Sequence, residues 1–530
     1  MKNALAVLLG ICALATPFIF EIPGLWFPGA IGLGIFAIAA VFWITECVPI
    51  WATSLLIIFL QVVLLSDRSP LQTGGEIPSI SLSNIQIAEG SDYSIPESAI
   101  DDSKVWINCE GSWQRIQVEA TDTEGRYTLN SSSDSLLALN SKDWRLAYSP
   151  IKYTEFFSSL SSPIIMLFLG GFFLASGAVK YRLDQNINRV ILGVVGKKPA
   201  NVVLALMGVT AALSAFMSNT ATTAMMITVV LPLMTSLPKG DKVRSALVLA
   251  IPCGANIGGL ATPIGSPPNA VALGALAKAG VSISFSQWML MMTPLAIGMI
   301  LVTWRLLLWL FPTKSQELEV DLRGKWDRTP KALLTYLIFA VTVLLWMTDK
   351  IHGMSTAIVA FIPVTFMPLL GILDKNDIKT FSWEVLWLMA GGISLGITMK
   401  LGGAEWLVGL VNWSALGPIL VIPILTIVAY ILSNLISNTV SATILIPIAI
   451  TMGTSGVVGE GFDTSLAALA IGVSVSFSML LPISTPPNAI AMSSGAIDGK
   501  ELIRVGAFVG AIGIVATLLM SFLVWGYFLE

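Results

Sequence analysis

Ser218-Asn219-Thr220-Ala221-Thr222-Thr223-Ala224-Met225-Met226 interrupts a long apolar run, and Gly265-Ser266-Pro267-Pro268-Asn269 interrupts the next. The same pair of polar stretches recurs downstream as Ser437-Asn438-Thr439 and Ser484-Thr485-Pro486-Pro487-Asn488. Fifty residues separate Asn219 from Asn269, and fifty again separate Asn438 from Asn488. A serine lies four residues before each triplet, Ser214 and Ser433, one helical turn away on the same face. Hydroxyl- and amide-rich helix breakers are tolerated at membrane depth only where protein encloses a cavity. Their duplication at matched spacing points to two halves of a transporter that share a central site.

The rest of the chain fits a polytopic membrane protein. Of 530 residues 55% are hydrophobic and 12% charged, about half the ~25% usual in soluble domains. Mean hydropathy is +0.82. Cys12, Cys47, Cys109 and Cys253 are scattered without metal or disulfide spacing, and His352 is the single histidine. No nucleophile–base set or metal cluster points to an enzyme, and nothing points to an organic cofactor or to nucleic acid.

Residues 1–27 read as a retained first transmembrane helix rather than a signal peptide, although Ala13-Leu14-Ala15 resembles a cleavage site. Residues 28–66 and 156–311 make a first repeat, 312–330 a cytoplasmic linker, and 331–528 a second repeat. The segments 202–236 and 416–452 exceed the ~20 residues of one span and read as re-entrant hairpins with the triplets at their tips. The segments 244–276 and 464–495 contain Pro-Pro and read as broken helices. The expectation is an all-α membrane protein of inverted repeats, about 11 transmembrane helices plus two hairpins. Lys180, Arg182, Arg189, Lys197, Lys198, Lys239, Lys242, Arg244, Lys314, Arg323, Lys325, Arg328, Lys331, Lys375, Lys379, Lys500 and Arg504 fall on one side, which the positive-inside rule makes cytoplasmic. That places the N-terminus inside, and residues 67–155 and the C-terminus outside the plasma (inner) membrane.

The stretch 67–155 breaks the hydrophobic pattern. Its residues 67–150 carry 13 acidic and 6 basic side chains, a net charge of −7. Alternation in Arg115–Ala120, a turn at Glu124-Gly125 and a resumption at Tyr127-Thr128-Leu129 predict a small β-rich exported insert. Asn130-Ser131-Ser132 fits a glycosylation sequon. The insert reads as a tolerated elaboration in preference to a docking domain.

The site chemistry follows from helix ends. Helix N-termini suit an anion, while freed carbonyls with Ser and Asn oxygens suit sodium. Ser214, Ser218, Asn219 and backbone at Gly265 make one expected sodium cage. Ser433, Asn438, the carbonyl of Ile436 and the region of Ser484 make its partner. Asn219, Thr220, Ser266, Asn438, Thr439 and backbone at Pro486 would hold the anion between them. No Asp, Glu, Lys, Arg or His occurs in 202–236, 245–277, 416–452 or 464–497, so a mirrored pocket without fixed charge is expected, and a proton relay is disfavoured. Gly170-Gly171 and Gly391-Gly392 read as close-packing positions, and Glu46 as an interfacial anchor or a member of a structural pair.

At these residues the chain resembles the divalent anion:sodium symporter family. Trp43–Ile50, Phe168–Phe172, Ser218–Met226, Gly265–Asn269, Ser437-Asn438-Thr439, Ile444–Pro447 and Ser484–Ile490 carry the resemblance, which spans nearly all the chain except 67–155. It implies a homodimer working by an elevator-type mechanism, in which Ser218-Asn219-Thr220 and Ser437-Asn438-Thr439 contact both sodium and substrate carboxylate. The expected activity is sodium-coupled symport of C4-dicarboxylates such as succinate, malate or fumarate. Alternatives are a sodium-independent dicarboxylate or citrate exchanger, a sulfate transporter, or a membrane-anchored sensor using the insert.

Overall fold

The computed structural model describes residues 2–70 except 21, 24 and 26, the backbone of six strands within 71–150, and 151–529 except 236, 239, 314–316, 319–325, 400, 455–457 and 460. Lys239, Lys314, Arg323 and Lys325 of the charge pattern, and the side chain of Asn130, lie outside the described residues. Two compact units emerge, one of residues 1–160 with 390–411, the other of 161–389 with 412–530. The division cuts across the linear halves, because the helix Trp383–Met399 passes from one unit to the other.

In the first unit the helices Lys2–Ile19, Phe27–Thr45 and Ile50–Leu65 are almost wholly apolar. Glu46 ends the second of them with a left-handed backbone at φ 49°, so its place in the chain is that of a helix stop. Apolar helices need something polar to fix their register, and here it is Gln61, fully buried. Its Nε2 donates to Ser394 O at 2.9 Å and to the Thr398 hydroxyl, and its Oε1 accepts from the Ser394 hydroxyl at 2.5 Å. Gly391 lies against Ser54: an added Cβ would stand 2.5 Å from the serine Cβ, so only glycine allows this approach.

Between residues 76 and 147 the backbone forms strands Glu76–Ser81, Asp92–Ser94, Lys104–Cys109, Ser112–Ala120, Arg126–Asn130 and Trp144–Ala147. Numbered β1 to β6, they pair antiparallel in the order β1-β6-β3-β4-β5-β2. The two ends of the stretch are pinned together: Asp67 N donates to Ile151 O at 2.9 Å, and Tyr153 N to Asp67 Oδ1 at 2.8 Å. Adjacent ends are what an insertion needs if it is to leave its host helices undisturbed.

The second unit holds every broken segment. The stretch 202–236 consists of two helices, Pro199–Ser214 and Asn219–Thr235, and 416–452 consists of Pro418–Leu435 and Asn438–Thr454. The stretch 244–276 divides into Val243–Gly258 and Pro267–Lys278. The stretch 464–495 divides into Thr464–Ser474, a 3-10 turn Val475–Phe477, and Pro486–Ser493. One helix lies within the charge pattern: Leu183–Val195, amphipathic, carrying Arg189 and flanked by Lys180, Arg182, Lys197 and Lys198, which together read as a loop. Among the described residues six helices are long and apolar enough to cross a membrane, and nine more are apolar but shorter. His352 is structural: Nε2 donates to Leu345 O at 2.8 Å and Nδ1 accepts from Met354 N at 3.0 Å.

Asp349 faces the start of the helix Phe285–Leu310, accepting from Ser286 N at 3.2 Å and from the Ser286 hydroxyl at 2.5 Å. Burial pushes its carboxyl up, but these hydrogen bonds and others from Ser284 and Lys350 outweigh burial and hold it below the usual aspartate range. A depressed folded value stabilises the fold above the unfolded aspartate pKa. That stability is lost as pH falls through the folded value, so Asp349→Asn should flatten the acid limb of a melting-temperature profile. Gln61→Leu should lower stability by roughly 1–3 kcal/mol through the Ser394 and Thr398 groups it strands. An unchanged melting temperature would show that the amide does not hold the first unit together.

Candidate functional site

Within the second unit a cavity of about 510 Å³ is lined by Ser218, Asn219, Thr220, Gly265, Ser266, Pro267, Pro268 and by Ser437, Asn438, Thr439, Ser484, Thr485, Pro486, Pro487. The two sets come from the two halves of the chain. Four helices therefore begin at one space: Asn219–Thr235, Pro267–Lys278, Asn438–Thr454 and Pro486–Ser493. All four turn a positive dipole end toward it, and the two that follow Ser-Asn-Thr also bring first-turn N–H groups, whereas the Pro-Pro starts have no N–H at their first two positions; together they make a place for negative charge.

Local chemistry sets each start. The Ser218 hydroxyl accepts from Ala221 N at 3.3 Å and the Ser437 hydroxyl from Val440 N at 3.2 Å, so both serines cap the helices that follow them. Thr485 caps the last helix, accepting from Asn488 N at 3.4 Å, while Ser266 occupies the equivalent position with an extended backbone and no such bond. Prolines at the first positions of two helices suit a start, where a missing N–H costs nothing.

The asparagines of Pro-Pro-Asn hold the unwound stretches. Asn269 Nδ2 donates to Gly259 O at 2.9 Å and Thr262 O at 2.8 Å. Asn488 Nδ2 donates to Met479 O and Leu481 O, both at 3.0 Å. Both residues are buried, and both amide oxygens have no hydrogen-bond partner among the described residues. The sequence displayed these residues as a motif, but only the structure shows the clamp.

Oxygens crowd behind the two tips. The tip of the Asn219 amide lies 2.5 Å from Ser214 Oγ, 3.0 Å from Gly265 O and 3.3 Å from Ala255 O. Turned the other way, the amide nitrogen would donate to all three. Ser433 Oγ lies 2.8 Å from Asn438 Oδ1 and 3.1 Å from Val475 O, and its one proton cannot serve both acceptors. Ser214 and Ser433 are fully buried. Ile436, at the extended end of Pro418–Leu435, does not line the cavity, and Ser484 Oγ donates to Asn434 O at 3.0 Å. Gly259 and Gly265 permit the crowding: a Cβ on Gly265 would meet Gly259 O at 2.5 Å, and one on Gly259 the Asn219 amide at 2.6 Å.

Three features were missed in the sequence. Asn256, buried on the arm Val243–Gly258, reaches Thr485 Oγ1 with Nδ2 at 3.2 Å and so links the two halves. Phe168, Phe172 and Gly171 line the cavity, Gly171 also lying close to Ile264, whereas Gly170 leaves no room for a side chain: an added Cβ would stand 2.7 Å from Ala360 Cβ. Glu384 also lines it, which corrects the expectation of a pocket without fixed charge. Glu384 lies outside the broken segments and enters from the helix Trp383–Met399.

Apolar spans, paired helix breaks and a cavity ringed by helix N-termini define an integral membrane protein built as a secondary transporter. Residues 136–472 match the family model described as CitMHS, citrate transporter. An uncharacterized transporter of Haemophilus influenzae is 30% identical over 393 residues, spanning 69% of this chain and 82% of its own. The sodium-dependent high-affinity dicarboxylate transporter 3 of Caenorhabditis elegans is 30% identical over 416 residues, with 67% and 73% covered. The sodium-dependent dicarboxylate transporter SdcS of Staphylococcus saprophyticus is 30% identical over 416 residues, with 69% and 78% covered. The chain belongs to the divalent anion:sodium symporter family.

Replacing either clamp amide by a carboxylate, Asn269→Asp or Asn488→Asp, turns two donors into acceptors that face carbonyls. Each carbonyl stranded in this way should cost roughly 1–3 kcal/mol. Thermal unfolding in detergent reads the loss, and an unshifted midpoint would dismiss the clamp.

Proposed function

We propose that this protein imports C4-dicarboxylates such as succinate, malate or fumarate together with sodium. The observation that carries the reading is the meeting of four helix N-termini and two oxygen clusters at one cavity without a lining Lys, Arg or His. A dianion there has only peptide dipoles and co-bound cations to neutralise it, so sodium and substrate depend on each other.

In this reading Ser214, Ser218, Asn219 and backbone at Gly265 take one sodium ion. Ser433, Asn438, the Ile436 carbonyl and the region of Ser484 take another. Oxygen clustering at the Asn219 tip and around Ser433 supports these cages. Asn219, Thr220, Ser266, Asn438, Thr439 and backbone at Pro486 grip the two carboxylates. Two sodium ions with a dianion move no net charge, and a third would make transport electrogenic, at about 2.3 kcal/mol per charge per 100 mV.

The halves are proposed to be inverted repeats, with re-entrant hairpins at 202–236 and 416–452, working by elevator-type alternating access in a homodimer. The whole cavity belongs to one compact unit, as a carrier that moves its site as a body requires. The N-terminus is placed in the cytoplasm, with the C-terminus and the β-rich insert outside. Named relatives in two kingdoms are sodium-dependent dicarboxylate transporters, while the family description, citrate transporter, favours citrate as the second reading.

Radiolabelled succinate uptake into proteoliposomes should cease when choline replaces sodium, and uptake indifferent to sodium would reject symport. Sodium with saturating succinate should raise stability by about 2.7 kcal/mol at a hundredfold excess over Kd. Asn219→Ala or Asn438→Ala should abolish that shift in a folded protein. Retention of normal affinity in both variants would move the site elsewhere.

A further inference from the structure

We propose that Glu384 sets the charge limit of the cavity, admitting dianions and disfavouring a guest with a third carboxylate. The inference rests on the transport reading and deepens it by naming the substrate class.

The cavity is nearly symmetric in its chemistry. Each half supplies a Ser-Asn-Thr tip and a Pro-Pro start, two equivalent seats for the two ends of a dicarboxylate. Glu384 breaks that symmetry. It stands in the first turn of Trp383–Met399, beside the lining residues Ser382 and Val385. The helix that carries the matching glycine pair in the first half, Pro163–Lys180, has no acid in its first turn. Glu384 is the sole ionisable side chain among the lining residues, it is exposed, and no cation lines the cavity to neutralise it.

An acid in a first turn complements its own helix dipole, which explains how a carboxylate is tolerated beside an anion site. It cannot help to bind a carboxylate. Its field acts on whatever negative charge exceeds the two that the seats and the sodium ions balance. A dicarboxylate is fully seated and presents no further charge. A tricarboxylate brings its third group into a space with no donor of positive charge and one like charge. Water in the cavity screens the repulsion, so the consequence is a preference rather than a barrier.

The test uses full-length protein in proteoliposomes with an inward sodium gradient, at a mildly alkaline pH where citrate is a trianion. Inhibition of labelled succinate uptake by citrate and by unlabelled succinate gives a selectivity ratio. Wild type should favour succinate. Glu384→Gln, with Glu384→Ala as a second neutral variant, should narrow the ratio by roughly tenfold, while Glu384→Asp keeps it. A ratio unchanged in both neutral variants overturns the proposal, as does a wild type that accepts citrate as readily as succinate. Neutral variants that lose succinate uptake yet are still stabilised by sodium with succinate also overturn it, because Glu384 would then serve turnover. Wild type without sodium-driven succinate uptake sinks the transport reading itself, and this inference with it.

Discussion

An uncovered helix end away from water is costly, and this structure gathers four of them around one space. Backbone N–H and C=O groups in a membrane must be satisfied within the protein or face a polar cavity. The breaks at Ser218 and Ser437, and those at Pro267-Pro268 and Pro486-Pro487, release such groups in pairs. Serine caps and Asn269 and Asn488 absorb part of the debt by tying specific N–H and C=O groups. The positive helix ends that remain turn toward the cavity, and under the proposed function an anion there would complement them.

The proposed cages answer to the same constraint. Carbonyls of Ala255 and Gly265 and the Ser214 hydroxyl crowd the Asn219 tip, where Gly259 and Gly265 permit the approach, while the Ser433 hydroxyl stands between the Asn438 tip and the Val475 carbonyl. Oxygen-rich clusters beside positive helix ends are, under the proposed function, complementary seats for cation and anion within one unit. Glu384 and Asn256 stand apart from this symmetry, one carrying charge and the other joining the halves through Thr485. In a pocket built of matched parts, the unmatched side chains are where selection between guests can reside.

The central features were legible in the sequence because they violate it locally. Pro-Pro-Asn and Ser-Asn-Thr have no reason to lie in apolar runs unless they face a cavity, and their repetition told that both halves contribute. Glu384 was not legible, because a carboxylate near the start of a span resembles an interfacial residue and only the fold brings it to the cavity. Leu183–Val195 was hidden for the opposite reason: Arg189 and the basic residues that flank the helix outweighed its helical period. The two compact units were hidden as well, since they interleave segments from both halves and share one helix.

If dipoles and sodium together neutralise the guest, the two ligands must report each other's affinity, and by the same factor. Binding of labelled succinate to the detergent-solubilised protein across a sodium series, with sodium binding across a succinate series, measures this coupling directly. The account predicts succinate affinity that climbs with sodium and a reciprocal gain in sodium affinity of equal size. Succinate affinity independent of sodium would contradict it.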